Sequence, residues 1–224
     1  MIKKYSYKEV HRIITSLDLY ARMYCGQYDF LIEELRLRAI IKSGQYAEDI
    51  LTVKLMKLRN VLIPQLIHSS FYTSLGIWNK ETPLIAKRAY DIQQILRYQM
   101  AFHDYPEGGF GVNFYEPYIH GNWRIKNEEI DKLKDIYQTY HYKERGLIPT
   151  KYWHCPIIIK SFNDDGTIDV YVYGKPVQKI IKDATKMYDC FMQKELLEGF
   201  QVLYETISDE SIETIKEIQL LLKS

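Results

Sequence analysis

Residues 89–117, AYDIQQILRYQMAFHDYPEGGFGVNFYEP, gather more hydrogen-bonding and titratable side chains than any other window of the chain. At helical spacing Tyr90, Gln94, Arg97 and Ala101 share one face, and Asp91 and Tyr98 lie on the adjoining one. Asp91 and Gln94 form an i,i+3 pair. The planar fork of Arg97 suits a phosphate or a carboxylate, or an internal salt bridge to Glu107 or Glu116. The helical pattern runs into His103-Asp104 and breaks at Pro106. A loop follows, Glu107-Gly108-Gly109-Phe110-Gly111, and leaves through Asn113, Tyr115 and Glu116. Glycines let backbone N–H groups approach an anion closely. A nucleotide cradle, however, needs a strand before the glycines and a helix after them. Here a helix precedes, and Gly108-Gly109 equally suits a turn with positive φ at a helix end. The candidate binding residues are therefore Tyr90, Asp91, Gln94, Arg97, Tyr98, Glu107, Gly108, Gly109 and Asn113.

Metal chemistry is the alternative. His68, then His103-Asp104, then Asp131 or Asp135 stand in the order used by metal-dependent phosphohydrolases of the HD superfamily, which are also helical. The Gly-Lys that usually follows the pair is missing, and Pro106 stands close behind. The competing role for His103 is to meet the last carbonyls of its helix, where a cation faces the helix dipole favourably. His154-Cys155 and Cys190 supply the residue types of a thiolate nucleophile or a soft-metal site, although Cys155 at the start of an apolar run also suits simple packing. His120, His141 and His154 share no ligand spacing. Nucleophile-elbow, paired-metal and kinase signatures are absent. Arg36, Arg38, Lys42, Lys54, Lys57 and Arg59 flank a turn and could meet phosphates. Glu33, Glu34, Glu48 and Asp49 dilute them, and no nucleic-acid motif accompanies them. Nucleic acid is thus not the expected partner.

Composition narrows the class. The 224 residues suit one large domain, with a subdivision at 1–150 and 151–224 as the alternative. A hydrophobic share of 46% and a charged share of 26% exclude wholesale disorder. The net charge of +1 gives no global field toward nucleic acid or anionic lipid. Residues 1–62 hold eleven Lys/Arg against seven Asp/Glu, and residues 190–224 hold three against seven. Three widely spaced cysteines, Cys25, Cys155 and Cys190, form no disulfide framework or zinc motif and fit a reducing cytosol. The opening residues turn polar at once, unlike a signal peptide, and no apolar run approaches a membrane span. Twenty tyrosines fit either codon bias or a contact surface.

The elements that must position these residues are mostly helical. Ser6-Tyr7-Lys8-Glu9 reads as a capping box, followed by Val10, Ile13, Ile14, Leu17, Tyr20 and Tyr24 at helical spacing. Gly26 ends that helix. A second is expected from Gln27 to about Lys42, and a third from about Ala47 to Leu62, broken by Pro64. Thr82-Pro83 marks a helix start, with the hydroxyl as cap, running to about Phe102 over a stripe of Ile85, Ala89, Ile92, Leu96 and Met100. A further helix is expected from Asn127, as its cap, to Tyr140. Residues 156–162 and 167–173 are β-rich and joined by Asn163-Asp164-Asp165-Gly166, a hairpin that must pack on helices or pair with another strand. From Pro176 the pattern is helical again, with breaks near Gly199 and Ser208-Asp209. The fold class is mainly α (α+β): a helical domain with one inserted β-hairpin.

Two blocks carry a resemblance. Leu17-Asp18-Leu19-Tyr20-Ala21-Arg22 with Gly26-Gln27-Tyr28 is one. Residues 89–98 with Glu107-Gly108-Gly109 and Val112-Asn113-Phe114 are the other. Over roughly residues 10–120 the chain resembles a family of small proteins encoded by bacteriophages and prophages of Gram-positive bacteria. The resemblance carries over no catalytic residue. It implies a phage accessory protein in the bacterial cytoplasm, of the kind that binds and blocks host factors, defence systems included. The expectation is a non-catalytic, cofactor-free binding protein that engages a host protein or sequesters a nucleotide-like ligand, as a monomer or a homo-oligomer. The HD-like phosphohydrolase and the nucleic-acid binder are the alternatives.

Overall fold

The computed structural model describes residues 1–41, 45–105, 120–121, 123 and 157–223. The fold is mainly helical with a small antiparallel sheet. In chain order the elements are β1 (Ile2–Ser6), α1 (Tyr7–Cys25), α2 (Tyr28–Leu37), α3 (Gln45–Leu62), a 3₁₀ turn (Pro64–Leu66), α4 (Leu84–Asp104), β2 (Ile157–Phe162), β3 (Thr167–Val172), α5 (Gly174–Met192), α6 (Leu196–Leu203) and α7 (Asp209–Lys223). The chain divides into two compact units. Unit 1 is Met1–Asp18 with Lys87–Ile181, and unit 2 is Leu19–Ala86 with Lys182–Ser224. No described helix is long and apolar enough to cross a membrane.

Unit 1 is built on the sheet, in the order β1-β3-β2. The hairpin forms as its turn chemistry dictates. Asn163 N–H donates to Thr167 O (2.8 Å), and Gly166 takes the left-handed conformation, φ +76°. The strand it needs as a partner is the N-terminus: Ile2 pairs with Tyr171 and Ser6 with Thr167. Sequence periodicity gave no strand there, because IKKYS has one exposed face and lies at the sheet edge. On β3, Ile168, Val170 and Val172 point into the core, joined by Ile157, Ile158 and Ile159 of β2. Val10, Ile13, Ile14 and Leu17 of α1, Ala89, Ile92, Leu96 and Met100 of α4, and Val177 and Ile180 of α5 are buried with them. Each buried Val, Leu, Ile or Met side chain contributes roughly 1.5–3 kcal/mol. Gln99 of α4 ties to β2, its Oε1 accepting from Ile159 N–H at 2.8 Å. The capping box forms as written: Ser6 N–H donates to Glu9 Oε2 (2.7 Å), and Glu9 N–H donates to Ser6 Oγ (3.3 Å).

Unit 2 is all helical. Leu19, Met23, Tyr28, Leu31, Leu35, Leu55, Phe191, Phe200 and Ile218 are fully or nearly fully buried. A ladder of tyrosines lies within it. Tyr20 and Tyr24 hydroxyls are 3.5 Å apart, Tyr24 donates to Leu203 O, and Tyr28 and Tyr204 hydroxyls are 3.1 Å apart. Burial pushes the Tyr28 and Tyr204 hydroxyls well above the ordinary phenol range. These tyrosines serve the interior.

Several boundaries differ from expectation for identifiable reasons. The second helix stops at Leu37, five residues early, where Arg38 and Ala39 turn the chain and Ala39 adopts φ +54°. Thr82 does not cap α4; its hydroxyl donates to Gly76 O (2.7 Å) inside the preceding loop. Gly199 is no break. It lies inside α6, where a Cβ would come within 2.3 Å of the Phe191 ring, so glycine there permits close packing. The helix expected from Asn127 to Tyr140 lies outside the described residues.

Candidate functional site

Two loops are held by buried charges, one in each unit. In unit 1 the charge is Asp91, fully buried on α4. Its Oδ1 accepts from His120 N–H at 2.8 Å. Its Oδ2 accepts from Gly121 N–H at 2.6 Å and from the Trp123 indole N–H at 2.8 Å. Arg88, one turn earlier, donates from Nε to Gly121 O at 3.1 Å, and its guanidinium lies 5.1 Å from the Trp123 ring centroid. The fit requires glycine at 121, since a Cβ would sit 2.5 Å from Asp91 Oδ2. Burial pushes the Asp91 carboxyl up to about 6, while the N–H donors and Arg88 pull the other way.

In unit 2 the charge is Arg59, fully buried on α3. No carboxylate ion-pairs with it among the described residues. Its Nη1 donates to Ser70 O (2.8 Å), Phe71 O (2.8 Å) and Thr73 O (3.2 Å). Its Nη2 donates to Ser69 O (3.0 Å), Leu66 O (3.3 Å) and Asn60 Oδ1 (3.0 Å), and Nε also reaches Asn60 Oδ1 (3.2 Å). The loop after α3 thus wraps its carbonyls around one guanidinium. A rigid fork of five N–H donors is the side chain that can satisfy so many carbonyls at once. Burial lowers the Arg59 pKa. Further ties hold the loop: Leu75 N–H donates to Cys25 O (2.9 Å), and Gln27 Nε2 to Ser74 Oγ (3.2 Å). Gly26, at φ +83°, leaves the space that Leu66 fills; a Cβ would meet Leu66 Cδ1 at 2.4 Å.

What this loop turns outward is aromatic. Tyr72 is 79% exposed and Trp78 72%, with Ile67 at 55%. Large aromatics on a fixed backbone give contact area at little entropic cost. No protein-family model, curated protein or solved structure matches this chain.

The residues singled out from sequence fall as follows. Asp91 and Tyr98 are buried, Tyr90 and Gln94 are half-buried, and Arg97 is exposed. Tyr90 has its ring 5.8 Å from that of His120, and Gln94 Nε2 donates to Gln93 Oε1 at 2.7 Å. Asp91 therefore spends its oxygens on His120, Gly121 and Trp123, not on Gln94. Glu107, Gly108, Gly109 and Asn113 lie outside the described residues, as do Asp131, Asp135 and Cys155. His103 stacks flat on Phe162 with centroids 3.7 Å apart, and Asp104 accepts from the Tyr7 hydroxyl at 2.6 Å. His68 is exposed in the turn after the 3₁₀ segment. Among the described residues none of these three belongs to a trio of metal-capable side chains. In the basic stretch, Arg59 is consumed by the loop and Lys54 pairs with Glu217. Sequence reading counted Arg59 among six basic residues that could meet phosphates. The contrary signal was present, because Arg59 falls beside Leu55, Leu58 and Leu62 on the apolar side of α3. Tyr72 and Trp78 were missed, since lone aromatics in a loop carry no periodic signature.

Proposed function

We propose that the protein is a non-catalytic binding protein that engages another protein through the loop at residues 66–83, with Tyr72 and Trp78 as anchors. The observation that carries this reading is the pairing of a backbone tied to a buried guanidinium with aromatics exposed beyond 70%. Exposed tyrosine and tryptophan on a preorganised loop are the features that give an interface its dominant contacts. A protein partner fits better than a nucleotide-like ligand, because the buried guanidinium that would hold a phosphate is already satisfied by carbonyls. The two buried charges that hold the loops, Asp91 and Arg59, are spent on backbone, indole and amide groups, which favours holding over turnover. The resemblance of residues 10–120 to phage and prophage proteins supplies the setting: a host factor in the bacterial cytoplasm.

The test is affinity capture from an extract of a Gram-positive bacterium, with small molecules retained and identified alongside proteins. The wild type is run beside Tyr72→Ala/Trp78→Ala. One protein held by the wild type and lost by the double variant supports the reading. Retention by both overturns the assignment of the surface, and recovery of a nucleotide alone overturns the choice of partner.

A further inference from the structure

We propose that Cys190, Glu195 and Glu198 of unit 2 form a binding site for a divalent zinc-type cation. The thiol sulfur and one oxygen from each carboxylate lie within 4.8 Å of one another. Cys190 is 6% exposed and its thiol is in no disulfide, while both glutamates are exposed. A buried sulfur facing two carboxylates offers the mixed soft and hard donor set that zinc accepts.

The chain brings these residues together through a tight turn. Lys194 adopts φ +64°, uncommon for a residue with a side chain. Lys194 N–H donates to Phe191 O (3.1 Å) and Glu195 N–H to Cys190 O (2.8 Å), which closes the end of α5 as a Schellman motif. Glu195 is thereby clamped beside Cys190, and Glu198 follows one turn into α6. Gly199 sets the remaining distance, because only a missing side chain lets α6 approach the Phe191 ring. The spacing Cys-x4-Glu-x2-Glu is thus a product of turn and packing, which is why it resembles no linear metal motif.

The electrostatics agree. A dication is the partner that lets thiolate and carboxylates coexist. Binding forms the metal–sulfur bond as the thiol proton leaves to solvent. Lys186 now pairs with Glu198 at 2.8 Å, but both are about half exposed, and such a pair is weak enough to give way. Three protein ligands leave one position for water. Glu195 and Glu198 also line a groove of about 410 Å³ with Lys186, Gln201 and Gln219, so that position is approached from the groove.

The test uses the full, reduced, tag-free chain titrated with Co²⁺ and then Zn²⁺. The expected result is a thiolate-to-cobalt charge-transfer band saturating at one equivalent and abolished by zinc. Glu195→Gln and Glu198→Gln are exposed substitutions, and each should weaken cobalt binding at least tenfold with the thermal midpoint unchanged. Cys190→Ser should remove the band. No band, a band requiring millimolar cobalt, or a band unaltered in Glu195→Gln/Glu198→Gln overturns the proposal.

Discussion

Asp91 in unit 1 and Arg59 in unit 2 solve one problem with opposite signs. Each is a fully buried charge, and neither relies on a counter-ion alone. Asp91 collects backbone and indole N–H donors; Arg59 collects backbone carbonyls. Both convert a side chain into a clamp on a distant loop. The difference lies in what happens when the environment turns hostile to charge. A carboxyl can take up a proton and become neutral, and burial already pushes Asp91 up to about 6. A guanidinium stays charged throughout the accessible pH range, so Arg59 must keep its acceptors or the fold around it fails. The two clamps should therefore break differently.

The largest effect is expected at Arg59. Arg59→Leu removes the donor from five carbonyls, of which Leu66 O and Ser70 O keep a backbone N–H and Ser69 O, Phe71 O and Thr73 O are stranded, and it should cost about 3–5 kcal/mol in urea unfolding, the range for breaking a buried charged network. A loss under about 1 kcal/mol would mean that the loop is held by something else. Arg59→Lys should fall between, because an ammonium cannot span acceptors arranged around a planar fork.

Asp91 comes next. Asp91→Ala leaves two backbone N–H groups and an indole N–H without acceptors and should cost about 2 kcal/mol at neutral pH. The pH dependence sharpens the contrast. Its folded-state pKa lies above the ordinary 3.8, so the folded protein binds the proton more tightly. The stabilising contribution is then fully present below about 4 and is lost as pH rises through about 6, by up to about 3 kcal/mol. The check is the difference in unfolding free energy between wild type and Asp91→Asn across that window. A flat difference, or one growing with pH, contradicts the assignment. Arg59 variants should show no such slope.

Smaller again is Gly121→Ala. Its methyl would press on Asp91 Oδ2 from 2.5 Å, and the cost should be about 1–2 kcal/mol. The double variant Gly121→Ala/Asp91→Ala should cost less than the sum of its parts, which a double-mutant cycle reads directly. Last, Tyr72→Ala/Trp78→Ala should leave stability within about 0.5 kcal/mol of wild type while abolishing partner capture.

The helical frame and the hairpin were legible because they rest on local signals. The Ser6-to-Glu9 capping box, Gly26 after α1 and Gly166 in the hairpin turn are read within a few residues. β1 was not legible, because its pairing with β3 spans more than 160 residues and its own pattern is polar. The two clamps were hidden for a related reason. Asp91 and Arg59 were both noticed as charged residues, but their partners are backbone groups, which every residue carries and no composition reveals. Sequence reading accordingly offered Asp91 to a ligand and Arg59 to phosphates, where the fold uses both internally. Lys194 shows the same limit: nothing in its identity announces a left-handed turn.

The most direct test of the central claim is amide hydrogen exchange on wild type and Arg59→Lys. The Ser69, Thr73 and Leu75 N–H groups donate to Leu66 O, Ser70 O and Cys25 O within the loop that Arg59 holds. In the wild type these amides should exchange on the order of a thousandfold more slowly than in an unstructured peptide, as befits a loop opening only with the surrounding helices. In Arg59→Lys their protection should fall at least tenfold, with amides of α2 unchanged. Free exchange of Ser69, Thr73 and Leu75 in the wild type would contradict the account.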